Sequence, residues 1–139
     1  RKGVKVEKDE KILRVKRDLR NLRKLTHSIE VSLQVKERHE KRLAWLKERQ
    51  PTKEVKSDIE QIEKVLATLD IEKYISKATA IEAKYMEAIN KLEPFDKTII
   101  LDGYINGKAY WKIGRDIGYT ERGVQKRVSI AIELIASYI

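Results

Sequence analysis

KAYWKIGRDIGYTERGVQKR, residues 108–127, is the stretch that decides how this chain is read. It has the layout of two short helices joined by a tight turn, an arrangement that sets one helix into the major groove of DNA. Ile113 and Ile117, four apart, fall on one face of the first helix. Gly114 is small where that helix must press on its neighbour, and Gly118 follows the last apolar position, where a left-handed residue ends a helix. Thr120 is the expected N-cap, with Tyr119 before it and Val124 four residues on as a hydrophobic staple. Val124 and Val128 continue the inward face. Glu121, Arg122, Gln125, Lys126 and Ser129 are left pointing outward, a set rich in groups that read base edges or phosphates. Thr120 through Ser129 is expected to read the groove, with Thr120 among the DNA-binding residues; Arg122, Gln125 and Lys126 are the strongest candidates for base contacts, and Lys108, Lys112 and Arg115 for contacts to the DNA backbone. Taken alone, the segment also fits an ordinary pair of packed helices with a charged outer face.

The distribution of charge adds weight to the DNA reading. The net charge of +9 is uneven along the chain: residues 1–24 carry eleven Lys/Arg against four Asp/Glu, or +7. Residues 25–93 carry thirteen of each and are neutral; residues 94–139 carry seven against five, or +2. The role of the basic segment depends on where the fold puts it.

Working back from the quoted stretch, Glu93-Pro94-Phe95 separates it from the upstream chain. Pro94 suits the first position of a helix, and Asp96 its first turn. That helix is expected to reach about Tyr104, turning Phe95, Ile99, Ile100 and Tyr104 inward, with Trp111 filling the core beside Phe95 and Asn106-Gly107 making the next turn. Upstream, Glu7–Arg49 contains no Pro or Gly, and Ile12, Val15, Leu19, Leu22, Ile29, Leu33, Leu43 and Leu46 recur at helical spacing. The seam is imperfect, because Thr26, Lys36 and Glu40 occupy apolar positions. Gln50-Pro51-Thr52 breaks the run, and Thr52 caps the next helix. Val55, Ile59, Ile62, Leu66, Leu69, Tyr74, Ala78, Ile81, Tyr85, Ala88 and Leu92 then resume the pattern as a second arm of similar length.

The fold expected is all-α. Residues 1–92 form a basic segment and a long antiparallel helical hairpin, a coiled coil in which position i faces about 102 − i; residues 93–139 form a three-helix helix-turn-helix module. A single kinked helix pairing only between chains is the alternative. The hairpin would return Arg14, Arg17, Arg20, Arg23 and Lys24 to the base of the module, where they would grip phosphates flanking the groove. In the last helix Val124, Val128, Ala131 and Ile135 serve the module, and Ile130, Leu134 and Tyr138 form a second apolar stripe. That stripe is left to the hairpin, to a second copy in a homodimer, or to a host protein such as RNA polymerase.

From Leu92 to Leu134 the chain resembles region 4 of bacterial sigma factors, with Ile113-Gly114, Ile117-Gly118-Tyr119-Thr120, Val124 and Arg127 in register. Gly114 stands where that family usually has Ala, and Gly123 sits at the third position of the second helix, where a Gly costs about 1 kcal/mol relative to Ala. A small basic chain with a helical N-terminus and this module is similar to the ArpU/RinA-type late transcriptional regulators of phages. The resemblance implies a sequence-specific, double-stranded DNA-binding transcriptional regulator working in the cytoplasm of a bacterial host. A DNA-packaging protein of small-terminase type and a structural coiled coil are the rival readings.

Other classes find little footing. No Cys occurs, which excludes disulfides and thiolate metal sites and fits a reducing cytoplasm. No apolar run approaches the ~20 residues of a membrane span. The chain opens on Arg1 and its one Met is Met86, so we expect residues missing before Arg1. His27 and His39, twelve apart on one expected helix, stand about 18 Å from each other and share no metal within the chain. Glu37–Lys41 and Glu60–Lys64 spacings describe solvated helix faces. With no Gly-rich phosphate loop, no nucleophile elbow and no Cys nucleophile, the sequence offers no catalytic residues, no metal site and no cofactor, and we do not expect an enzyme.

Overall fold

The computed structural model describes Lys2–Ile139, with side chains from Val6 onward. The expectation for the basic side chains of Arg1, Lys2 and Lys5 therefore lies outside the described residues. The protein is all-helical: α1 (Lys2–Lys47), α2 (Lys53–Ala67), α3 (Ile71–Asn90), α4 (Pro94–Thr98), a π-helical segment (Ile99–Ile105), α5 (Tyr110–Ile117) and α6 (Glu121–Tyr138), with no strand among the described residues. No helix among them is long and apolar enough to cross a membrane.

The chain reverses between α1 and α2. Pro51 cannot continue a helix, and the Thr52 hydroxyl takes the Val55 N–H at 3.2 Å, capping α2. Rising positions on α1 then meet falling positions on α2 and α3: Arg42 shares a surface groove with Asp58, Glu40 one with Leu66, and Asp18 bonds Tyr85. The second arm is not one helix, contrary to the expectation. It breaks at Thr68-Leu69-Asp70, where the Thr68 hydroxyl turns back to the Val65 carbonyl at 2.8 Å and its N–H is shared between the Lys64 and Val65 carbonyls. A hydroxyl that competes for helix carbonyls weakens the ladder it sits in.

Burial concentrates at one end of the molecule. Val15, Leu19 and Leu22 of α1 are buried with Tyr85, Ala88 and Ile89 of α3, Ile99 and Ile100 of the π segment, Ile113 of α5, and Val124, Val128, Ile132 and Ile135 of α6. This core is continuous across Leu92. Along the remote half of α1 and all of α2 only Leu46 and Ile62 are buried. Leu33, expected in the seam, is 47% exposed. Of the second stripe on α6, Leu134 packs against the core, whereas Ile130 and Tyr138 stay largely exposed.

Two polar contacts tie the core end together. Asp18 is the acceptor for the buried Tyr85 hydroxyl and for Lys84 Nζ at 3.4 Å, joining α1 to α3. Asp96 is 1% exposed, and Arg127 meets it with a two-pronged contact, Nε donating to Oδ1 at 3.1 Å and Nη2 to Oδ2 at 2.6 Å. That pair joins α4 to α6. The helix expected to reach Tyr104 does so, but α-helical only to Thr98. From there it widens into the π segment, whose exit is marked by the Asn106 N–H reaching the Leu101 carbonyl five residues back.

Both contacts can be tested through stability. Burial opposes ionisation of Asp18, but the hydrogen bonds from Tyr85 and Lys84 and the charges of Lys84 and Arg17 outweigh it and hold its carboxyl below the ordinary value of 3.8. A lowered folded-state value gives stability that is complete above the ordinary carboxylate range and drains away as pH falls through the lowered value. Asp18→Asn should therefore flatten the acid limb of a urea-midpoint-against-pH curve; an unchanged limb would assign acid sensitivity elsewhere. Arg127→Met strands a buried carboxylate and should cost on the order of 3 kcal/mol. Adding Asp96→Asn should recover part of that loss, and a double-mutant cycle by chemical unfolding measures the coupling.

Candidate nucleic-acid interface

The turn between α5 and α6 is built by three residues in sequence. Gly118 has φ +80°, and it and Tyr119 both send their N–H groups to the Gly114 carbonyl, the latter at 2.8 Å, which closes α5. Thr120 then adopts extended backbone, and its hydroxyl accepts the Gly123 N–H at 3.0 Å while its carbonyl takes the Val124 N–H at 3.0 Å, which opens α6. Tyr119 lays its ring on Phe95 with centroids 4.9 Å apart, pinning the turn to α4. The helices approach so closely here that a Cβ on Gly114 would collide with the Tyr119 carbonyl oxygen. The Gly at this position is thus required by the packing of this chain.

The face that α6 presents is decided by the side chains it buries. With Val124 and Val128 inward and Arg127 drawn to Asp96, the outward arc of its first turns holds Glu121, Arg122, Gln125, Lys126 and Ser129, all exposed. The first four make no side-chain hydrogen bond or ion pair among the described residues; Ser129 bonds back to the Gln125 carbonyl at 3.3 Å. Thr120 is spent on its cap. These are free donors and acceptors at a helix N-terminus, whose partial positive charge favours an anion.

Lys108, in the turn before α5, and Arg115 on α5 both lean on Asp116, at 3.3 and 3.7 Å. Exposed pairs of this kind hold their partners weakly, by roughly 0–1 kcal/mol, and yield to a phosphate. Trp111 is not a core residue, contrary to expectation: it is 50% exposed, with the Lys112 ammonium and the Arg115 guanidinium each 5.5 Å from its ring. The ring beside Phe95 is that of Tyr119, which is itself 49% exposed. Ile117, expected on the inner face, is 39% exposed, because α5 ends at its position and the chain turns away.

The basic residues of α1 divide into two groups. Arg17 reaches Asp18 at 3.5 Å, and the charges of Arg14 and Arg17 both act on the Tyr85 hydroxyl. That hydroxyl is nonetheless held far above its ordinary value, first by burial and then by its bond to the Asp18 carboxylate. Arg20, Arg23 and Lys24 instead line a groove of about 800 Å³ against Tyr104, Asn106 and Tyr110. Arg23 lays its guanidinium over Gly107, whose φ is +76° and whose missing side chain leaves the space, about 3 Å to a would-be Cβ. The structure thus brings three of the five basic residues to the turn that precedes α5. Among the described residues no hydrogen bond or ion pair joins any of the five to residues 120–129. His39 bonds the Val35 carbonyl of its own helix, and no acidic or histidine cluster able to hold a metal is found among the described residues.

Sequence reasoning missed the Asp96–Arg127 pair. Arg127 lay in register with the sigma-like motif, but nothing in the chain links it to a carboxylate 31 residues earlier. Comparison with protein-family models, with curated proteins and with solved structures yields no match for the chain.

The turn makes a sharp prediction. Gly114→Ala should cost about 1–3 kcal/mol by overpacking, whereas Gly118→Ala, with open space around it but a left-handed backbone, should cost about 1–2 kcal/mol. Thermal unfolding of both variants checks this. A neutral Gly114→Ala would show that the two helices can separate without loss.

Proposed function

We propose that this protein is a sequence-specific, double-stranded DNA-binding transcriptional regulator. In that reading α1, α2 and α3 make an antiparallel coiled-coil hairpin, and residues 93–139 a helix-turn-helix module resembling sigma region 4. The observation that carries it is the unengaged set of Glu121, Arg122, Gln125 and Lys126 on the outer arc of a helix whose inner arc is fixed by Val124, Val128 and the Arg127–Asp96 pair. Arg and Gln at such positions make two-pronged contacts to guanine and adenine edges. Lys108 in the turn before α5, with Lys112 and Arg115 on α5, would lie along the phosphates, and Arg20, Arg23 and Lys24 would extend the positive surface past that turn. The resemblance to phage late regulators supplies the setting proposed, a bacterial cytoplasm with late-gene control. Host RNA polymerase, or a second copy of this chain, would meet the exposed Ile130 and Tyr138.

Fluorescence anisotropy on random duplex should give binding that weakens steeply with salt, by a log–log slope of about 0.9 per phosphate contact. Neutralising Arg20, Arg23 and Lys24 together should lower that slope by about two to three, by the same rule. On a duplex selected from a random pool, Arg122→Ala should cost about 1–3 kcal/mol and relax the preference at one base pair. Absent or salt-insensitive binding would overturn the proposal, and a ring of many subunits in light scattering would favour the packaging reading over regulation.

A further inference from the structure

The groove beside α1 has a ligand chemistry of its own. At about 800 Å³ it lies inside the range of roughly 300–1,000 Å³ typical of small-molecule sites. Its α1 wall runs from Arg20 to Glu30, ten residues and so about 15 Å of helix. That wall is polarised. Arg20, Arg23 and Lys24 gather at one end, and the Glu30 carboxylate stands alone at the other. None of the four has an ion-pair partner among the described residues, so all four charges are left to an incoming molecule. The facing wall carries the rings of Tyr104 and Tyr110, and both are held in place: Tyr104 donates to the Lys16 carbonyl at 3.4 Å, and Tyr110 packs where Gly103 has no side chain. Burial pushes the Tyr110 hydroxyl above its ordinary value, with Tyr104 adding to the shift and Arg23 opposing it. It therefore stays a neutral donor beside those cations.

A ligand matching this wall is anionic at one end, flat in the middle and rich in N–H donors at the other. We propose that the groove binds a free guanine nucleotide, its phosphate on Arg20, Arg23 and Lys24 and its base toward Glu30. Guanine presents two adjacent N–H donors on one edge, which a carboxylate accepts as a pair; adenine and cytosine place a ring acceptor there and meet the carboxylate with like polarity. The tyrosine rings offer faces for the sugar and base. A nucleotide so placed bridges α1 to the turn before α5 and occupies three of the cations assigned above to DNA phosphates. That last consequence, weaker duplex binding in its presence, rests on the DNA reading; the site itself does not.

The test is isothermal titration of the full chain, without DNA, by GMP, AMP and inorganic phosphate. GMP should bind saturably, with AMP and phosphate at least tenfold weaker. Arg20→Ala should weaken GMP at least tenfold. Glu30→Gln should weaken GMP and leave AMP binding at least as tight, removing the preference for GMP over AMP. Arg20 and Glu30 are both exposed on α1, and circular dichroism confirms that the variants keep their helices. Phosphate binding as tight as GMP, no saturable heat from either nucleotide up to millimolar concentration, or an intact guanine preference in Glu30→Gln would each overturn the proposal. Failure here leaves the DNA reading untouched, because no duplex is present; GMP binding without duplex binding would sink only the latter.

Discussion

A buried carboxylate with a single cation to answer it sets the geometry of the C-terminal half. Asp96 is almost wholly withdrawn from water, and Arg127 alone supplies its two hydrogen bonds. An unanswered charge in such a place is costly by several kcal/mol, so α6 has little freedom to rotate about its axis. Fixing Arg127 inward also fixes Val124 and Val128 inward on the same flank. The outward arc is the remainder, and it is there that Arg122, Gln125 and Lys126 stand. The candidate DNA-reading surface is thus a consequence of a contact made on the far side of the helix.

Much of this arrangement was legible because it rests on local rules. Thr52 and Thr120 are N-caps and Gly118 a left-handed helix end; each acts within four residues and each is found in place. All-helical character followed from apolar spacing. The illegible parts depended on neighbours distant in sequence or on choices between similar residues. The break at Thr68 needs a hydroxyl to prefer the Val65 carbonyl over continuing the helix, a competition decided by small differences. Within the π segment, Gly103 lets Tyr110 and Ile113 come against the backbone, a closeness visible only once α5 is docked. The ring against Phe95 is Tyr119, from the turn, and Trp111 lies on the outside of α5.

The unequal distribution of the core has a mechanical meaning. Among the described residues, every large buried apolar side chain apart from Leu46 and Ile62 lies where α1, α3, the π segment, α5 and α6 converge. A C-terminal segment of some 45 residues is near the lower limit for folding alone, and it borrows the Val15–Leu19–Leu22 stripe of α1 to complete its interior. The far end of α1 with α2 contributes little burial in return. Local opening free energy tracks buried contact, so that end opens first and the convergence point last.

This coupling bears on how charge can act. The segment richest in Lys and Arg is the same segment that donates apolar residues to the core, from the two faces of one helix: Val15, Leu19 and Leu22 face in, and Arg14, Arg17, Arg20, Arg23 and Lys24 face out. A flexible basic tail would lose conformational freedom on meeting a polyanion, and that loss would offset part of its attraction. Here the packing of α1 has already removed the freedom, so its cations are presented at fixed spacing against the turn before α5. Fixed cations discriminate between anions by shape as well as by charge. As proposed, the same positive helix would be a general phosphate surface along its open side and one wall of a selective groove where the Tyr104–Tyr110 segment faces it.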